Sequence, residues 1–165
     1  MNPPAKLSDL MTPLEWNSTE HFICFDRETG SIVCVDNSVM NAAEEGDEEK
    51  LKDLSGTEKD EVDLALAIVN DKAGRFIAPP DRFDFDEYGQ MEQFIYSLKD
   101  DTAAEELSNA IRGRGAFRYF KDTAERLGLL DNWYRFRDQA MKEFVIEWAE
   151  DHNVRYEDDT KNPES

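Results

Sequence analysis

Histidine and cysteine are scarce in this chain, two of each in 165 residues, and the scarcity removes several chemistries at once. Cys24, Cys34, His21 and His152 show neither Cys-x-x-Cys nor His-x-x-x-His spacing, so no zinc centre is encoded. The two cysteines flank a turn and could face each other across it only if its loop had five residues. Free, partly buried thiols are therefore expected. Neither histidine stands beside a plausible nucleophile and no Gly-x-Ser-x-Gly elbow occurs, which argues against a hydrolase triad. Gly113 and Gly115 are followed by no third glycine and no Gly-Lys-Ser/Thr, so a glycine-rich phosphate loop is missing too. No motif implies a cofactor.

Basic residues are also in deficit. There are 19 Lys and Arg against 38 Asp and Glu, a formal charge of −19. Sequence-independent binding to duplex nucleic acid needs a cationic surface, as does a polybasic anchor to anionic lipid, so both are disfavoured. Long apolar runs are lacking: the start has no signal-peptide core, and no later stretch reaches the ~18 residues that span a bilayer. The expectation is a cytoplasmic protein without a membrane partner. One plain source of such acidity is adaptation to a salty cytoplasm.

Hydrophobic residues still make up 39% and aromatics 11% of the chain, more large apolar surface than a disordered acidic chain carries. The expected organisation is a single α+β domain over residues 1–156, an N-terminal β-hairpin packed on a mainly helical C-terminal half, with a frayed tail at 157–165. Leu7, Leu10, Met11 and Leu14 recur at helical spacing around Pro13. Residues 21–26 and 31–36, rich in Phe, Ile, Val and Cys, flank Arg27-Glu28-Thr29-Gly30 and read as the hairpin. Residues 41–63 hold ten acidic and three basic residues, with Leu51 and Leu54 the only large apolar side chains before Val62. The 41–60 stretch reads as a solvated acidic connection, and its Glu44–Glu49 core lacks the ligand order of an EF-hand. A helix over 58–69 presents Val62, Ala65, Leu66 and Val69, and Phe76-Ile77 is a short extended piece closed by Pro79 and Pro80.

Four helices are expected afterwards. Asp84 with Glu87 has the form of a capping box for a helix burying Tyr88, Met91, Phe94, Ile95 and Leu98, and Thr102 with Glu105 repeats the device ahead of Ala104, Leu107 and Ile111. Gly113 and Gly115 bracket the next junction. Phe117, Phe120, Ala124 and Leu127 then share a face, Gly128 stops that helix, and Asp131 caps a long last one bearing Trp133, Phe136, Ala140, Phe144 and Trp148. The expected core unites Phe117, Phe120, Trp133, Phe136, Phe144 and Trp148. Val154-Arg155-Tyr156 could add a short strand.

The most specific string is Arg112-Gly113-Arg114-Gly115-Ala116-Phe117-Arg118-Tyr119-Phe120-Lys121-Asp122. With Trp133-Tyr134-Arg135-Phe136-Arg137 and Phe25-Asp26-Arg27-Glu28-Thr29-Gly30, it resembles uncharacterised protein family 0158, a bacterial group of small acidic proteins. The resemblance spans roughly residues 20–156 and departs at Tyr119, where the family more often has a second arginine. It implies an α+β fold and transfers no catalytic residue.

Residues 112–137 carry seven basic and three acidic residues, +4, while the remainder sums to −23. Two readings of this stretch stay open. In one, Gly113 and Gly115 shape a tight corner, Phe117, Phe120, Trp133 and Phe136 are core, and the arginines pair with the plentiful carboxylates, a pairing the composition favours. In the other, Arg112, Arg114, Arg118 and Lys121 clamp an anion beside a helix start, and the ligand is a phosphorylated small molecule or nucleotide. At the level of function, the expectation is a non-enzymatic interaction or regulatory module. Its charge-segregated surface would engage a protein partner, with mimicry of a nucleic acid as a sharper variant. The competing expectation is a phosphate- or nucleotide-binding enzyme or regulator built on residues 112–121.

Overall fold

The computed structural model describes residues 2–15, 19–53 and 59–160, the side chains of 51–53 and 59 excepted. In chain order its elements are β1 (Ala5–Lys6), α1 (Leu7–Glu15), β2 (His21–Asp26), β3 (Ser31–Asp36), α2 (Asn37–Glu45), α3 (Glu48–Asp53), α4 (Lys59–Val69), β4 (Phe76–Ile77), α5 (Arg82–Phe85), α6 (Glu87–Ser97), α7 (Asp101–Ala110), α8 (Ala116–Arg126), α9 (Leu130–Asp151) and β5 (Tyr156–Glu157). The fold is α+β with a helical C-terminal half. Two compact units divide it, one of Met1–Asp81 with Val145–Ser165 and one of Arg82–Phe144. Among the described residues no helix is long and apolar enough to cross a membrane.

In the first unit, β2 and β3 pair antiparallel with Asp26 opposite Ser31. The four-residue loop closes on Gly30, at φ 71°, whose N–H donates to the Asp26 carbonyl at 2.9 Å. This register sets Cys24 opposite Val33 and Cys34 opposite Ile23. Because successive side chains alternate between faces, the two thiols lie on opposite faces of the sheet and remain free. β4 joins the other edge of β2, giving the order β3-β2-β4. Phe25 meets Trp148 of α9 edge-on, ring centroids 5.4 Å apart, which seats the hairpin on the end of that helix.

The acidic stretch at 41–60 departs from the expected connection, because most of its described residues are helical. Asp36 caps α2 by accepting from the Ser38 N–H, and Gly46, at φ 68°, ends it in the left-handed conformation. The reason is buried small residues: Ala42 and Ala43 join Val39 and Met40 on the inward face of α2. Val35, Val39, Met40, Ala43 and Ala65 then form one core, with Val62, Leu64, Leu66 and Ile68 packed against it. Val69, expected on the inward stripe, is exposed. Leu54 and Glu58 lie outside the described residues. The chain end differs too. Ala5 and Lys6 pair in parallel with Tyr156 and Glu157, and Asp159 accepts from both the N–H and the hydroxyl of Ser8, so the described part of the 157–165 tail is tied down.

The second unit is built on α6, α7, α8 and the first part of α9. The caps of α6 and α7 sit two residues from the expected places. Asp86, not Asp84, accepts from the Gly89 N–H at the start of α6, and Asp100, not Thr102, accepts from the Thr102 and Ala103 N–H groups at the start of α7. Asp131 lies inside the first turn of α9 instead of capping it. Met91, Phe94, Ile95, Leu107, Ile111, Ala116, Phe120, Ala124 and Trp133 form the core, with Phe136 packed against it.

The expected aromatic cluster is therefore only partly formed. Phe94, Phe120, Trp133 and Phe136 make edge-on contacts at 4.9–6.1 Å. Phe144 meets Phe85 instead, and Trp148 belongs to the first unit. Phe117 is 45% exposed, because the buried arc of α8 runs through Ala116, Phe120 and Ala124 and leaves Phe117 about 60° to one side of its centre. Tyr88, also expected inside, is 37% exposed.

Candidate functional site

The junction between α7 and α8 is where the sequence concentrates positive charge. α7 ends at Ala110 with Ile111 as its cap, and two glycines at positive φ carry the chain round: Gly113 at 150° and Gly115 at 75°. Gly115 is the N-cap residue of α8 and supplies no side-chain hydrogen bond to that first turn. A Cβ on Gly115 would stand 3.1 Å from the Tyr119 ring, so the ring lies close over this turn.

Arg112, Arg114, Arg118 and Lys121 are all exposed. Among the described residues no carboxylate lies within ion-pair distance of Arg112, Arg114 or Lys121, and Arg118 meets only Asp122, 3.9 Å away along the same helix and in solvent. Pairing at the corner, which the composition favoured, is thus not what holds these arginines. The reason is local: the nearest acidic neighbours in sequence sit further along α8, where Asp122 answers Arg118 and Arg126 reaches back to Glu106 of α7 at 3.4 Å. The structural arginine of the stretch is Arg137, whose Nε is 2.6 Å from Glu87 Oε1 with its side chain 15% exposed.

The aromatic members of the motif separate in the same way. Phe120 and Trp133 are fully buried, while Phe117, Tyr119 and Tyr134 are 45%, 55% and 41% exposed. Cations and exposed rings therefore alternate along residues 112–121. Of the four cations only Arg112 lines the groove of about 270 Å³ between α6 and α7. Tyr88, Glu92, Ile95 and Tyr96 form one wall of that groove at i, i+4, i+7 and i+8 spacing, facing Ser108 and Ile111. The Tyr88 hydroxyl donates to the Ile111 carbonyl at 3.0 Å, joining α6 to the end of α7 next to Arg112. Arg114, Arg118 and Lys121 do not line it.

Sequence reasoning missed a second concave site. In the first unit, Arg27 and Arg155 line a common pocket although they stand near opposite ends of the chain. The pairing of β1 with β5 helps bring those ends together, and strands of two residues leave no periodic trace in a sequence. Among the described residues no group of three or more His, Cys, Asp or Glu side chains is placed to hold a metal ion.

Comparison with known proteins agrees with the family resemblance. The UPF0158 protein PA5073 of Pseudomonas aeruginosa is 31% identical over 68 residues, covering 41% of this chain and 44% of that relative, so the match spans less than half of the relative's length. No solved structure matches the chain. A family model described as Uncharacterised protein family (UPF0158) matches residues 8–164. The chain therefore belongs to the uncharacterised protein family UPF0158.

Proposed function

We propose that the chain is a cytoplasmic, non-enzymatic interaction module that engages a protein or nucleoprotein partner through the α7–α8 corner. One observation carries the reading: among the described residues Arg112, Arg114 and Lys121 are exposed without a carboxylate partner, in a chain with twice as many acidic as basic residues. An intramolecular role for these cations would show as ion pairs of the kind Arg137 makes with Glu87. Exposed Phe117 and Tyr119 between them add apolar and aromatic area, the side-chain types that anchor interfaces. The acidic remainder repels other anionic surfaces, so association is selected for a partner that offers negative charge at one place and tolerates the rest. Family membership adds no assigned activity.

Site-specific photocrosslinking tests the reading. A photoreactive residue at position 117 should capture a discrete partner in cells, and the same residue at position 69, exposed on α4, should not. Equal capture at both positions, or none at 117, contradicts it.

A further inference from the structure

The N-terminal segment runs so close over the hairpin loop that a Cβ on Gly30 would stand 2.7 Å from the Pro3 carbonyl oxygen. At the other end of the chain α9 stops in a left-handed turn, with Asn153 at φ 57° and the Val154 N–H donating to the Ala149 carbonyl at 2.8 Å. Between these two features lies a pocket of about 230 Å³ whose lining includes Asn2, Pro3, Phe25, Arg27, Asn153 and Arg155. Its lining counts two arginines and two asparagines and no acidic residue among the described residues.

That lining is selective in so acidic a chain, and the hairpin shows how it arises. Arg27 stands between two acids, Asp26 and Glu28, yet pairs with neither. Arg75 takes both, with Nε 2.9 Å from Asp26 Oδ1 and Nη1 3.1 Å from Glu28 Oε2. Alternation along β2 sends Asp26 to one face and Phe25, with Arg27 beyond it, to the other. Arg155 donates to the Asn2 carbonyl, which uses one of its five N–H groups and orients the guanidinium. Among the described residues neither Arg27 nor Arg155 has an ion-pair partner. Two arginines thus share one half-enclosed space, and among the described residues no carboxylate neutralises them.

We infer that this pocket binds a small phosphate monoester. The phosphoryl group is close to a dianion at neutral pH, its second pKa being about 6, so its charge matches two guanidiniums, whereas a monocarboxylate leaves one uncompensated. Planar guanidinium forks hold the phosphoryl oxygens. The amides of Asn2 and Asn153 are suited to hydroxyls on the organic part, and Phe25 supplies an apolar wall. The net charge of −19 opposes any anion at long range, so the binding is local and short-ranged. This site belongs to the first unit and stands or falls independently of the α7–α8 corner.

Titration calorimetry on the full chain in a phosphate-free buffer of fixed ionic strength tests the inference. The probes are glycerol 3-phosphate, inorganic phosphate, succinate and glycerol. Glycerol 3-phosphate should bind saturably and more tightly than the other three. Arg27→Gln should weaken it at least tenfold while leaving the melting temperature unchanged, since that side chain has no partner in the described fold. Lys99→Gln, exposed and outside the pocket, should bind as the natural chain does. Arg155→Gln also loses the Asn2 bond, so Arg155→Lys accompanies it and should likewise weaken binding. No saturable binding of glycerol 3-phosphate overturns the inference. So does equal affinity for succinate or inorganic phosphate, or binding that Arg27→Gln leaves unchanged.

Discussion

Arg75 holds Asp26 with two parallel hydrogen bonds, Nε to Oδ1 at 2.9 Å and Nη2 to Oδ2 at 3.0 Å, joining β2 to the segment entering β4. Asp26 is the one charged side chain among the buried described residues, 1% exposed, and its Oδ1 also accepts from the Glu28 N–H at 3.0 Å. Removing Arg75 would leave that carboxylate without its counter-charge. Arg75→Met is expected to cost about 3 kcal/mol, the low end of the range for a broken buried pair because a third of the Arg75 side chain stays in water. Arg75→Lys should recover only part, since an ammonium cannot form the fork. Urea denaturation measures both.

The same pair sets an acid limit on stability. Burial pushes the Asp26 carboxyl up, but the Arg75 hydrogen bonds, the Glu28 amide and the Arg75 charge together hold it below its ordinary value. A lowered folded pKa gives stability that is fully present above the unfolded value of about 3.9 and is lost as pH falls through the folded one. Asp71 is lowered as well, chiefly by the Phe76 amide. The urea midpoint should therefore be level between pH 5 and 7 as far as these groups are concerned, and fall below about pH 4. Asp26→Asn should show a shallower fall in that window.

The two thiols should react at different rates. Burial, then the charges of Asp26 and Asp71, push the Cys24 thiol up to about 12, so it carries almost no thiolate at neutral pH. Cys34 is also raised, by burial first, but is partly accessible. Labelling of the native chain should modify Cys34 first and Cys24 only on unfolding. An intramolecular Cys24–Cys34 disulfide should not form, because the register puts them on opposite faces.

Two glycines with nearly the same backbone separate contact from conformation. Gly30 and Gly46 have φ of 71° and 68°, but a Cβ meets the Pro3 and Pro4 carbonyl oxygens at the first and open space at the second. Gly46→Ala should cost about 1 kcal/mol, the left-handed penalty alone. Gly30→Ala should cost distinctly more and weaken anion binding in the pocket beside it, because the N-terminal segment must lift away.

Arg114→Ala should change stability by less than ~0.5 kcal/mol, as expected of a solvated side chain without a partner. A melting temperature lowered by several degrees would return Arg114 to a structural role.

Much of this architecture is legible in the sequence where large apolar residues keep a strict period. The hairpin follows from the Phe, Ile and Val runs around Arg27–Gly30, and α6, α7 and α9 from stripes such as Met91, Phe94 and Ile95. Legibility fails where small residues do the packing. Ala42, Ala43 and Ala65 bury as completely as a valine but read as neutral, so a helical stretch passes for an acidic loop. Phe117 is misread because its spacing to Phe120 and Ala124 fits a helical face as well as that of Ala116 does, and only the packing of α8 in the core decides between them. The corner cations are legible as a charge cluster, but their lack of partners is a tertiary fact. The pocket of Arg27 and Arg155 has no local signal at all.

The central claim is that the unpaired cations of the α7–α8 corner are there for a partner, and a quantitative comparison of cellular interactomes tests it most directly. The natural chain and an Arg112→Gln/Arg114→Gln/Lys121→Gln variant, shown to have the same melting temperature, are isolated under identical low-salt conditions and their bound macromolecules quantified. The account predicts at least one partner depleted tenfold or more in the variant and released from the natural chain by raised salt. Identical recoveries from the two, or no partner from either, would contradict it.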